Sequence, residues 1–360
     1  TATTEIYTYA FVGGILLFGA GLIGGRLRQG SMNTTAFSFG PLGAKGFAFL
    51  NMLQLIGWTS IMIYDAMLAL QELAPLSPMI WTIAIGALVI LWLFIGLHNT
   101  GYIQAIVSVL LLGLTLYMGA HMISQWPTES SLLTSGNMSF IAALELSIAM
   151  PLSWLPLISD YTRESKKPFS ASLTSATVYT VTSIVMYTLG LSAAIFGGGD
   201  SIITIMMNAG LGLAGLIVII FSTVTTTFMD AYSAGVSSTT IYNGASSKGI
   251  AVIVTIVGTI AAILYPMDDI TDFLYLIGSV FAPMIAILLA DYFINRQQVQ
   301  TLSAYLIRGL IWAVSVGLYH YMLHSESTIG ATLPAFTIAF VVTAIVGFIS
   351  KTAHISTEIK

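Results

Sequence analysis

Residues 221–235, FSTVTTTFMDAYSAG, decide how this sequence is read. The apolar run before them, residues 211–220, is ten residues long and at about 1.5 Å per residue covers roughly half of a ~30 Å hydrocarbon core. A helix starting there spans a bilayer only by carrying the polar run through it. On such a helix Ser222, Thr225, Thr226, Met229 and Asp230 share one broad face. That face cannot meet lipid, because a carboxylate at mid-membrane costs at least ~2.5 kcal/mol on insertion scales. It must face a bundle interior or a wet cavity. The Ser222 carbonyl with the Thr225 and Thr226 hydroxyls forms a hard-oxygen set suited to Na⁺, and Asp230 follows one turn later. The alternative is a packing seam of small hydroxyl residues with one buried, partnered acid.

Composition agrees with a membrane reading: 56% of residues are hydrophobic and 7% charged. The absence of cysteine excludes disulfides, thiolate metal sites and a cysteine nucleophile, and the five scattered histidines do not support a zinc site. Eleven spans are expected, at about 5–25, 46–70, 79–97, 101–122, 139–161, 171–196, 211–240, 249–265, 272–294, 303–323 and 331–350. Alternate loops then place all 11 Lys and Arg residues on one side, while the other side holds only acids. By the positive-inside rule the basic side, with the C-terminus, is cytoplasmic. Thr1 then lies outside, and with no initiator Met the reading expects one more span upstream. The whole is read as a single polytopic domain over residues 1–360.

The fifth span carries Pro151 and Pro156, so it is expected to be broken or kinked near its middle, with Trp154 at the break and Glu145 on the outer half. An ordinary proline kink with a packing Trp is the alternative. The second span places Gln54, Trp58 and Asp65 on one stripe, where an indole offers a stacking surface for a flat heterocycle and an amide offers both donor and acceptor. Packing or interfacial anchoring is the other reading of Trp58. Two segments, Asp160-Tyr-Thr-Arg163 and Asp291-Tyr-Phe-Ile-Asn-Arg296, close spans at the basic edge. Interfacial anchoring with local ion pairs is favoured for them over an inner gate. Asp268-Asp269-x-x-Asp272 resembles a Mg-diphosphate motif, but no basic residue stands nearby to hold a diphosphate.

Phe37-Ser-Phe-Gly40, Gly57-Trp58, Ser159-Asp-Tyr-Thr-Arg163, Thr225-Thr226 with Tyr232 and Gly235, and Leu289-Ala-Asp-Tyr-Phe-Ile-Asn-Arg296 follow the order of motifs in the nucleobase:cation symporter-1 family, which the chain resembles along nearly its whole length. Within the family it is similar to cytosine permeases and, through residues 149–160 (AMPLSWLPLISD), closer to hydroxymethylpyrimidine transporters. The resemblance implies an all-α membrane protein of the LeuT-type inverted-repeat fold, with 11 of 12 transmembrane helices present, the first absent and residues 5–25 matching the second. A chain without the first helix is expected not to bind or couple normally.

Carried over by residue, Trp58 matches the family's stacking Trp, and Ser222, Thr225 and Thr226 match its sodium site. At the break of the sixth helix this chain has Pro151 in place of an aromatic residue, with Trp154 one turn on as the candidate second face. Where some members carry an amide, it has Met62. Asp230 has no counterpart in cytosine permease and becomes the candidate selector of an aminopyrimidine, with Gln54 beside it. The resemblance implies a non-enzymatic secondary importer in the bacterial inner membrane, without a cofactor and coupled to Na⁺ or H⁺. Hydroxymethylpyrimidine is the first expectation for its cargo; cytosine, a purine or another heterocycle is the alternative, and a membrane-embedded enzyme a remoter one. Membrane lipid is the other expected contact, with neither nucleic acid nor an obligate protein partner.

Overall fold

The computed structural model describes residues 2–73, 76–95, 97–124, 140–196, 212–267, 269–325 and 329–358, and every regular element among them is helical. In chain order these are α1 (Ala2–Leu27), the short α2 (Ser31–Thr34), α3 (Ala36–Leu73), α4 (Pro78–Ile95), α5 (Leu97–Ser124) and α6 (Phe140–Thr162). There follow α7 (Pro168–Phe196), α8 (Gly212–Ile241), α9 (Ser247–Leu264), α10 (Thr271–Leu289), α11 (Leu302–His324) and α12 (Thr332–Glu358). Among the described residues nine helices are long and apolar enough to cross a membrane; in α5 the apolar stretch is the shorter Tyr102–Tyr117.

Local chemistry sets several helix ends. Gly40 takes φ +68°, the left-handed region open to glycine, and Pro41 restarts α3 with its fixed φ at a position that needs no donor. The Ser246 and Thr301 hydroxyls accept from Gly249 N at 3.1 Å and Ala304 N at 3.3 Å, capping α9 and α11. After α10 the chain makes a π-helical turn, Ala290–Asn295, and stops at Arg296 in the left-handed region.

Two groups of helices form the body. In one, α3 packs along α8, and α4 and α9 pack against both. In the other, α1 packs against α6 and α7, and α6 leans on α10. The short α2 touches α1, α3, α6 and α8, while α12 packs on α10 and α11. The main core joins Leu17 and Ile23 of α1 to Ile148 and Leu152 of α6 and to Phe281, Met284 and Ile287 of α10. A smaller core joins Val89 and Trp92 of α4 to Val224 and Phe228 of α8 and Ala251 of α9.

Of the two outcomes expected for α6, a break or a kink, the break is not present: residues 140–162 are helical throughout, with Pro151 and Pro156 inside the helix. Pro151 removes the donor that would serve the Ser147 carbonyl, but Tyr187 of α7 donates its hydroxyl to that oxygen at 3.2 Å. Pro151 itself is buried against Gly13 of α1, where any Cβ would overlap its ring. The seam continues along both helices, with Ser159 Oγ and Thr162 Oγ1 donating to the α1 carbonyls of Ala20 and Gly21 at 2.9 and 2.8 Å. Close approach of this kind needs small residues on one partner.

The anchoring read for the two acid-tyrosine-arginine segments is corrected in part: a local ion pair does form, Arg163 with Glu164 at 3.2 Å, but both aspartates are buried and each also has a partner far away in sequence. Asp160 Oδ1 accepts from Ser31 N at 2.7 Å. Asp291 takes a two-pronged contact from Arg308 of α11, at 2.9 and 3.2 Å, and a bond from Asn295 Nδ2 at 2.8 Å. Glu145 is also buried: its carboxylate accepts from Ala331 N at 2.8 Å, from Thr332 N and from the Thr332 hydroxyl, holding the N-terminus of α12. Gly330, at φ +74°, makes the turn that aims those amides. In the diphosphate-like motif Asp268 lies outside the described residues. Asp269 accepts from Thr271 N at 2.9 Å, which holds its carboxyl below the usual range and accounts for it as an end-of-helix acceptor.

Candidate functional site

The candidate site is built on α3 and α8. Trp58 is half-buried on α3 and meets Phe273 of α10 edge to face, with ring centroids 5.5 Å apart and planes at 71°. One turn earlier, Gln54 is 4% exposed and donates from Nε2 to Asn51 Oδ1 at 2.7 Å. Asn51 in turn donates from Nδ2 to Ser237 Oγ of α8 at 2.9 Å and to the Pro156 carbonyl of α6 at 3.3 Å. One buried amide thus ties three helices together. Met62 is half-buried and Asp65 exposed, so the stripe read along α3 passes from buried amides through Trp58 to its open end.

Trp154 is half-buried on α6 and lies near Tyr179 of α7, with centroids 6.1 Å apart. Both indoles border the main core, yet no ring contact joins them among the described residues. Pro151 packs on Gly13 of α1.

On α8 the structure brings Ser222, Thr225 and Thr226 together: both threonine hydroxyls donate to the Ser222 carbonyl, at 3.0 and 2.9 Å. This back-bonding leaves the hydroxyl oxygens with outward lone pairs that a cation could use. Asp230 is buried, at 6% exposure. Beside it, Tyr161 of α6 donates to the Met229 carbonyl at 2.8 Å and shares a bond with Ser233 Oγ at 3.1 Å, fastening α6 to α8. Among the described residues no cluster of three His, Cys, Asp or Glu side chains could hold a metal ion.

Grooves of about 280, 440 and 920 Å³ open between helices elsewhere, and none is lined by Gln54, Trp58, Trp154 or Asp230. The residues that sequence reasoning missed are Asn51, Phe273 and Ser237; Tyr161 was read only within the Asp160–Arg163 segment, not as a link to α8. Only Asn51 left a signal, a second buried-type amide three residues before Gln54 on the same face.

No family model matches the chain. Over 185 residues, 50% of the chain, it is 25% identical to the cytosine permease of Escherichia coli strain K12, and those of strains CFT073 and O157:H7 match to the same extent. The match spans 44% of these relatives, less than half their length. Among solved structures it is similar to Mhp1, a nucleobase-cation-symport-1 family transporter, in a closed conformation with bromovinylhydantoin bound: the TM-score is 0.78 at 16% identity, over 99% of this chain and 86% of that one. The inward-facing conformation of Mhp1 gives 0.73 at 16% identity, over 98% and 84%. A Na⁺-coupled sialic acid symporter in a substrate-bound outward-open state gives 0.70 at 16% identity, over 97% and 85%. The chain therefore has the LeuT-type inverted-repeat fold, and the proteins it resembles are transporters rather than enzymes.

Proposed function

We propose that the protein is a secondary active symporter of the nucleobase:cation symporter-1 family that imports a small pyrimidine, hydroxymethylpyrimidine, with Na⁺ or H⁺. The observation that carries this reading is the Asn51–Ser237 bond between α3 and α8. With each helix from α3 to α8 crossing the membrane once, these two run antiparallel. Seven residues on from Asn51 is Trp58, and seven back from Ser237 is Asp230, so both rise about 10 Å from that link to the same depth. A stacking indole and a buried carboxylate at one level between two packed helices suit a flat, amine-bearing ring. The carboxylate accepts from the amine and favours a protonated ring nitrogen.

Ser222, Thr225 and Thr226 lie one to two turns beyond Asp230, where a cation would act on the same helix as the cargo. Trp154 serves as the second face of the ring, and Met62 borders the site on α3; Pro151 supports α6 from its packing against Gly13. The basic side of the membrane, with the C-terminus, is cytoplasmic by the positive-inside rule. Membrane lipid covers the outer faces, and no nucleic acid or obligate protein partner is invoked.

A second reading, cytosine as cargo, is favoured by the identity to cytosine permease. Equilibrium binding of labelled hydroxymethylpyrimidine to the full-length protein in nanodiscs, with unlabelled cytosine as competitor, separates the two. Saturable binding that cytosine does not displace supports hydroxymethylpyrimidine; displacement by equimolar cytosine replaces it with the second reading.

A further inference from the structure

We infer that Asn51 is a positioning residue that fixes which end of the Gln54 carboxamide meets the ligand, so that the Trp58 site selects a ring edge carrying an N–H donor. The inference rests on the proposed pyrimidine reading and adds to it a rule of selection.

Asn51 and Gln54 form a relay of donors and acceptors. The Pro156 carbonyl can only accept, so the Asn51 atom facing it at 3.3 Å is the NH₂ group, and Ser237 Oγ at 2.9 Å accepts from that same nitrogen. Asn51 Oδ1 therefore points the other way, toward Gln54 at 2.7 Å. An amide oxygen takes only a donor, which assigns that end of Gln54 to Nε2. Turning the Gln54 amide over would set two carbonyl oxygens against each other at hydrogen-bond distance. Gln54 Oε1 is thus left buried with no partner among the described residues, a fixed acceptor awaiting a hydrogen.

Gln54 lies four residues before Trp58, on the same face of α3. A ring stacked on Trp58 places one edge within reach of this acceptor. An amine there completes the relay from α6 and α8 through Asn51, whereas an oxygen without a hydrogen leaves two acceptors opposed. Sites built to hydrogen-bond one polar group discriminate strongly against a ligand that lacks it.

The test uses two probes of nearly the same size, hydroxymethylpyrimidine with its 4-amino group and the same ring carrying a 4-methyl group, which lacks the donor. Both are measured by competition binding to the full-length protein in nanodiscs. The parent is expected to bind the amino compound at least about tenfold more tightly. In Asn51→Leu the Gln54 amide is free to rotate, and the ratio falls toward one. Gln54→Leu, which removes the acceptor without touching the α3–α8 link, also brings the ratio toward one and answers the question if Asn51→Leu does not fold. A merely structural role for Asn51 weakens both probes alike and leaves the ratio intact, which overturns the inference, as does a parent ratio near one. Binding that stays sensitive to Trp58→Ala while showing no preference overturns this inference alone. Binding of neither probe by the parent removes the pyrimidine reading and this one with it.

Discussion

Asn51 Nδ2 donates to Ser237 Oγ across 2.9 Å, and this bond sets the register of α3 on α8. Every residue proposed to touch cargo or cation on these two helices is placed by counting from it. Both side chains are buried, so the link is shielded from competing water. The same amide reaches the Pro156 carbonyl, which makes the register a property of three helices.

Trp58 is expected to carry the stacking. Trp58→Ala should weaken pyrimidine binding by ~1–3 kcal/mol, roughly 5- to 150-fold, by analogy with base–aromatic contacts. Trp58→Phe, which keeps a ring against Phe273, should lose less. Parallel titrations with labelled cargo check the ranking, and equal losses in the two variants would assign Trp58 to packing.

Thr225 and Thr226 act through their hydroxyl oxygens. Replacing either by Val keeps its shape and removes those lone pairs. If sodium binds there, the sodium concentration for half-maximal uptake should rise by about tenfold or more, equivalent to about 1.4 kcal/mol. Uptake assayed across a sodium series reads this directly, and an unchanged sodium requirement moves the cation elsewhere.

Arg308 and Asp291 form a buried ion pair between α11 and the turn after α10. Arg308→Met should destabilise the protein by about 3–5 kcal/mol, because Asp291 stays buried without its partner. The double change Arg308→Met with Asp291→Asn should recover most of that loss. Thermal unfolding in detergent gives both values, and a double variant no more stable than the single one would contradict the account.

Glu145 fastens α12 to α6 by accepting from both backbone amides at the helix start. Glu145→Ala should cost about 1–3 kcal/mol as those buried donors lose their acceptor. Glu145→Gln, which retains one carbonyl oxygen, should cost less. Hydrogen exchange at Ala331 and Thr332 is the site-specific readout, and unchanged protection there would remove the cap.

The polar face of α8 was legible because hydroxyls and a carboxylate inside an apolar run admit few explanations in a membrane. Trp58 and Gln54 stood out on α3 for the same reason. Other features depend on partners that sequence spacing does not reveal. Pro151 and Pro156 argued for a broken α6, since the loss of a donor is local and visible; the hydroxyl of Tyr187 that serves the freed Ser147 carbonyl comes from the next helix. Asp160 and Asp291 stood near arginines in sequence and were read as interfacial anchors with local ion pairs, yet Asp160 also accepts from Ser31 and Asp291 pairs with Arg308. Asn51 gave almost no signal, because its role follows from the direction of one α6 carbonyl.

Cargo and coupling are read together by uptake of labelled hydroxymethylpyrimidine into cells that lack their own route and produce the full-length protein, comparing Na⁺ with choline and adding unlabelled cytosine. Uptake should require the cation gradient, resist cytosine and be lost in Asp230→Asn. Uptake of cytosine or a purine with none of hydroxymethylpyrimidine would contradict the cargo and the role of Asp230, leaving the fold in place.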